Sequence, residues 1–221
     1  RVRGPPRALE VRGGGRRAPM IHLVVALPAE ARGLARVLGA QSGGSGSGSQ
    51  PAHSGAGIDL VICGPGRQRS RRAVEAIAER MSQKAHHAWL NVGIAGHADL
   101  SPGTCLLAEE IREFATGRSW KPSIPFRISC PTATVCTVDR PETVYATEAA
   151  YDMEASGFFA AANRVSRPGL VQVLKVVSDN RGDELSSLTA DRVESLVRVA
   201  CPTVSELLRR MSEILGYRES D

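Results

Sequence analysis

The sequence predicts an α/β protein, a largely buried sheet covered by helices on both faces, and three observations predict it. Short runs rich in β-branched residues alternate with helical patterns along the chain. Most of those runs are almost continuously apolar, as in strands covered on both sides. Hydrophobic residues make up 42% of the 221 residues, enough to bury one full-sized core, so a single domain is expected.

Residues 1–19 precede the first element and carry six arginines against one acid, Glu10. The chain's whole net charge of +5 therefore sits in this segment. It is rich in Gly and Pro without hydrophobic period, which predicts a disordered basic tail. It lacks the apolar stretch of a secretory signal. Met20 directly precedes the first strand, so the tail reads either as native or as an artefact ahead of the natural start. The domain proper is then residues 20–221.

The elements follow in order. Strands are predicted near 21–27 (IHLVVAL), 58–63 (IDLVIC), 88–94 (AWLNVGI), 104–108, 133–138 (ATVCTV) and 171–177 (VQVLKVV). Helical periodicity marks about 28–39, 67–84, 152–164 and 190–215. In the last, Leu196, Val197, Val199, Ala200, Val204, Leu207, Leu208, Met211 and Leu215 recur at three- and four-residue steps. Cys201-Pro202 should split it into two helices. Residues 41–50 (QSGGSGSGSQ) read as a flexible loop. Residues 109–132 carry no clear period and read as a long surface excursion of the kind that can serve a binding site.

Composition excludes several classes. Only 4% of residues are aromatic, too few for a stacking platform for single-stranded nucleic acid. No apolar run approaches the roughly 18 residues of a membrane span. The five cysteines are widely spaced and no histidines sit at metal spacing, which argues against a zinc site and suits reduced thiols in the cytoplasm. Cys136 reads as a small apolar core residue.

Five segments could carry chemistry, each at a strand end or helix start. LPAEARGL (27–34) places Glu30 in a first helical turn, where the helix dipole alone would explain an acid. CGPGRQRS (63–70) turns from strand to helix through glycines, which suits an anion or a plain tight turn; Arg67 is the best anion contact. NVGIAGHADLSPGT (91–104) leaves room beside Gly93, Ala95 and Gly96 for something flat, while His97 reads as a turn residue. VVSDNRGD (176–183) sets Ser178 and Asp179 at the carboxyl end of an apolar strand, the edge where open α/β sheets bind ligands. An acid leaving such a strand is desolvated, which suits a general acid. YDMEASGFF (151–159) adds Asp152 and Glu154 around Met153.

An acid after strand one, NVGIAG, DMEA and a strand ending in Ser-Asp occur in that order. The order resembles the purine nucleoside phosphorylase and methylthioadenosine/S-adenosylhomocysteine nucleosidase superfamily over roughly residues 20–215. The resemblance implies a three-layer α/β/α fold around a mixed, partly closed sheet, and cleavage of the N-glycosidic bond of a purine nucleoside or 5′-modified adenosine. It implies that Glu154 accepts hydrogen bonds from the ribose hydroxyls, with Met153 against the sugar and Asp152 capping the helix. Asp179 would donate a proton toward N7 of the purine, oriented by Ser178. Ala95 and Gly96 would line the pocket, and the segment holding Thr137 and Val138 would cover the base.

Cleavage of a C1′–N9 bond builds positive charge on the ribose and negative charge on the base, so it needs an acid near the base and a carboxylate at the sugar. Glu30, in place of the arginine of hexameric phosphorylases, implies water as acceptor. Arg67 and Lys175 could still hold phosphate, so phosphorolysis stays the alternative. Two departures from the nucleosidase pattern, Ile94 for Ser and Lys175 for Arg, leave a nucleoside-binding domain without turnover open as well. The resemblance further implies a homodimer or larger homo-oligomer, a small-molecule partner rather than nucleic acid or membrane, and neither metal nor organic cofactor.

Overall fold

The structure, a computed structural model, describes residues 20–35, 37–39, 51–55, 57–81, 87–182 and 188–216. The basic tail and the Gly/Ser segment 41–50 lie outside them. Nine strands and five helices occur among the described residues, in the order β1 (Met20–Val25), α1 (Pro28–Gly33), β2 (Pro51–Gly55), β3 (Ile58–Ile62), α2 (Arg67–Ala78), β4 (His87–His97), β5 (Cys105–Glu113), β6 (Ser119–Trp120), β7 (Thr132–Thr137), β8 (Ala150–Asp152), α3 (Ala155–Val165), β9 (Val171–Asp179), α4 (Ala190–Val199) and α5 (Cys201–Leu215).

The sheet is mixed and partly closed, as the resemblance implied. Strands β4, β8, β7, β5 and β9 pair into a ring, because β9 bonds to both β4 and β5. From β4 an open arm runs through β1 and β3 to β2. Strands β1, β3, β4 and β9 are mutually parallel along their pairings, so their carboxyl ends share one edge.

Side-chain alternation explains the layers. On β9, Val171, Val173 and Val177 enter one core with Phe158, Phe159 and Ala162 of α3 and Val74 and Ile77 of α2. Leu174 and Val176 belong to a second core, with Val197 of α4 and Val204, Leu207, Leu208 and Met211 of α5. Every residue of β9 is buried, the polar Gln172, Lys175, Ser178 and Asp179 included, so the strand is apolar wherever it does not carry one of these partnered groups. Burying each such aliphatic side chain stabilises the fold by about 1.5–3 kcal/mol.

Several boundaries differ from the sequence-based expectation. Helix α1 is shorter, ending at Gly33, which packs onto α4: an added Cβ would sit 2.8 Å from Val197 Cβ. The predicted break at Cys201-Pro202 occurs, with Ala200 between α4 and α5. Val199, expected on the apolar face, is 66% exposed at the end of α4. Part of the 109–132 excursion is strand: β5 continues to Glu113 and β6 pairs with it. The remainder packs Ile124, Phe126, Ile128 and Cys130 against the α4/α5 core. Gln172, fully buried on β9, holds it by donating to the Ser123 carbonyl at 2.8 Å. Cys136 is a buried apolar residue, as expected.

Candidate active site

The chain gathers four acids and one lysine where the parallel strands end. Helix α1 opens with Pro28, whose missing N–H costs nothing in a first turn. Its third residue, Glu30, folds back so that Oε2 accepts from the N–H groups of Ala26 and Leu27, both at 2.8 Å. Oε1 accepts from the Ile94 N–H of β4 at 3.0 Å. Three backbone donors thus occupy most of the roughly four acceptor positions of a carboxylate. Glu30 is 1% exposed, and burial raises its pKa despite those donors and Lys175.

Lys175 of β9 lies opposite Gly93 of β4. Its Nζ is 2.7 Å from Asp152 Oδ2, and both side chains are fully buried. Burial works against the ammonium, but Asp152, Glu154 and Glu30 together outweigh it and raise the lysine pKa. Lys175 therefore stays charged. A Cβ placed on Gly93 would meet Glu30 Oε1 at 3.0 Å and Lys175 Nζ at 3.3 Å, which fixes carboxylate and ammonium beside the same strand position.

Asp152 closes β8 and does not open the helix, contrary to the expectation of a helix from residue 152. It still caps α3: Oδ2 accepts from the N–H groups of Glu154 at 3.1 Å and Ala155 at 2.7 Å. Oδ1 accepts from the Thr137 hydroxyl at 2.7 Å, and that hydroxyl accepts from the Ser156 N–H at 2.9 Å. Thr137 is thus fully engaged in bracing Asp152. Its neighbour Val138 is buried beside Tyr145 and Tyr151.

Glu154 Oε1 accepts from the Gly66 N–H at 2.7 Å. Gly66 heads α2 at φ +104°, a backbone setting that favours glycine. Desolvation pushes the Glu154 pKa up to about 7, with Lys175 opposing and Asp152 adding to the rise. Met153 is half-buried in the turn before α3. Gly157 explains how α2 and α3 come so close, since a Cβ there would overlap the Arg67 carbonyl.

Asp179 sits at the end of β9. The β4–β9 register slips between Ala95 and Gly96, so Gly96 faces Asp179 and Ser178 is the extra residue of a bulge. The Ser178 hydroxyl reaches Asp179 Oδ1 and the Ala95 carbonyl, the latter at 3.3 Å. The Tyr145 hydroxyl donates to Asp179 Oδ2. Glu30 at Ile94 and Asp179 at Gly96 therefore flank one short stretch of β4, and Glu154 joins Glu30 through the field of Lys175.

Other expected residues have plainer surroundings. Arg67 is held by Glu113 at 2.6 Å and Asp139 at 2.9 Å. His97, expected in a turn, instead closes β4, and its Nδ1 accepts from the N–H groups of Asp99 and Leu100 in the bend that follows. Sequence reasoning missed two partners. Lys175 inside an apolar strand signalled a buried counter-ion, and Asp152 supplies it. Tyr145, alone in a polar segment, carried no signal.

This ring-closed sheet with its flanking helices is a nucleoside phosphorylase-like fold. Among solved structures it is similar to the 5′-methylthioadenosine/S-adenosylhomocysteine nucleosidase of Helicobacter pylori, with TM-score 0.65 and 14% identity over 87% of this chain and 99% of that one. The nucleosidase of Colwellia psychrerythraea in complex with adenine gives 0.62 and 18% over 92% and 99%. The futalosine hydrolase of Helicobacter pylori gives 0.63 and 14% over 89% and 98%. At these identities the likeness establishes the fold. No protein-family model matches the chain, and curated sequences yield no match.

Proposed function

We propose that this protein hydrolyses the N-glycosidic bond of a purine nucleoside or 5′-modified adenosine. Asp179 donates a proton to the departing base, Glu154 grips the ribose hydroxyls through its carboxylate, with Met153 against the sugar, and Glu30 takes a proton from the attacking water. Ser178 orients Asp179, Ala95 and Gly96 line the base, and Thr137 and Val138 support the covering segment. The observation that supports the reading most is that Glu30 bonds the Ile94 N–H and Asp179 stands opposite Gly96 on β4, while Glu154 and Glu30 both act on Lys175. The fold shared with nucleosidases, one of them holding adenine, supports it.

Water is favoured over phosphate on charge. Three acids, Glu30, Asp152 and Glu154, act on one buried cation, Lys175. With Glu154 ionised, above its raised pKa of about 7, such a site repels a phosphate dianion and stabilises a cationic ribose. Arg67, the other candidate anion contact, already has two carboxylate partners. No metal or organic cofactor is required, and a homodimer or larger assembly belongs to the same proposal.

The test is a panel of methylthioadenosine, adenosine and inosine, incubated with and without phosphate and resolved by chromatography. Free base and free sugar at a rate indifferent to phosphate are expected. Ribose 1-phosphate formed only with phosphate would replace hydrolysis by phosphorolysis.

A further inference from the structure

Tyr145 occupies the place this mechanism assigns to the base. Its hydroxyl donates to Asp179, the proposed proton donor. Its ring lies on the Gly96 backbone so closely that an added Cβ there would meet Tyr145 Oη at 2.5 Å and Cε1 at 2.6 Å. Tyr145 is 2% exposed, although the next residue back, Val144, is 72% exposed. The side chain therefore dives inward from a surface segment, residues 139–149, that has no helix or strand.

The segment holds Tyr145 in an unusual backbone state. Its φ of +47° is the one positive value at a non-glycine among the described residues. A bulky side chain in the left-handed region is strained and persists only when its surroundings enforce it. Here they include Arg181, which donates to the Tyr145 carbonyl at 2.8 Å and pairs with Asp99 at 3.2 Å. The ring also packs against Tyr151, at a centroid distance of 5.8 Å, in a small cluster with Ala98, Cys136 and Val138.

We infer that Tyr145 is a removable plug: a flat aromatic ring with a polar edge that takes the purine's place on Gly96 and Asp179, and that the entering base displaces outward. The inference rests on the proposed nucleoside chemistry. Tyr145 and a purine compete for one carboxyl group, that of Asp179, so Tyr145 sets the affinity for the base and admits only ligands able to replace its contact with Asp179. The strained backbone at Tyr145 is relieved when it leaves, which offsets part of the lost contact.

The experiment measures adenine binding by calorimetry for the wild type, Tyr145→Phe and Tyr145→Ala, with tyrosine ring resonances followed in ¹³C-labelled wild type. Tyr145→Phe keeps the ring and removes the bond to Asp179, so it should bind adenine roughly tenfold more tightly. Tyr145→Ala should bind at least as tightly, and saturating adenine should shift the Tyr145 ring signals toward those of an exposed ring. A residue of purely structural value would lower affinity or leave it alone when replaced. Binding to the variants but not to the wild type also supports a plug. Adenine binding to the wild type with unmoved Tyr145 signals, or weaker binding to Tyr145→Phe, overturns the plug and leaves the base site standing. Failure of all three proteins to bind overturns the plug and removes the nucleoside reading with it.

Discussion

Glu154 is where protonation and function meet at the scale of a single residue. Its folded-state pKa, raised to about 7 from 4.5, means that the folded protein holds this proton more tightly than the unfolded chain. The resulting stability is fully present below about 4.5 and is lost as pH rises through about 7. Its size is on the order of 3 kcal/mol, since each tenfold gain in proton affinity contributes about 1.4 kcal/mol. Glu154→Gln should therefore flatten the dependence of Tm on pH between 5 and 7. The proposed grip on the sugar needs the opposite state, the carboxylate. The wild-type kcat/KM should rise with pH up to a shoulder near 7, and a pH profile without that limb would place the ionisation elsewhere. The proposed chemistry thus asks Glu154 to carry a charge that burial resists.

Glycine spacing decides the geometry at the scale of elements. Helices α2 and α3 approach at Gly157, and that approach brings the Gly66 N–H of α2 to Glu154. Alanine is about 1 kcal/mol better than glycine inside a helix. The overlap with the Arg67 carbonyl outweighs this, because two backbones would have to part. Gly157→Ala should cost about 3 kcal/mol net, a fall in Tm on the order of 10 °C by thermal unfolding. A Tm within about 2 °C of wild type would show that the helices separate freely.

Element type was legible wherever burial imposed a period. The apolar runs of β1, β3, β4, β7 and β9 and the stripe through α4 and α5 each announced themselves. Strands β2, β6 and β8 were not legible, being short or polar with pairing set by distant partners. The bulge at Ser178 left no trace either, since it depends on the register of β4 against β9. Asp152 was readable as a cap but not as the partner of Lys175, because β7, β8 and β9 meet only in the closed ring.

The same ring closure brings scattered residues of the proposed site toward one another at the scale of the whole molecule. Glu30, Glu154 and Asp179 lie far apart in the chain; the ends of β1 and β9 position Glu30 and Asp179 beside β4, and β8, paired to β4, leads into Glu154 at the head of α3. The central claim is that this collection breaks a glycosidic bond with Asp179 as the acid. The most direct measurement is the rate of adenine release from methylthioadenosine in phosphate-free buffer at about pH 7, wild type against Asp179→Asn, with Tm recorded for both. The account predicts release by the wild type and a loss of roughly 10²–10⁴-fold in the variant at unchanged Tm. Equal rates in the two proteins, or no release by the wild type, would contradict it.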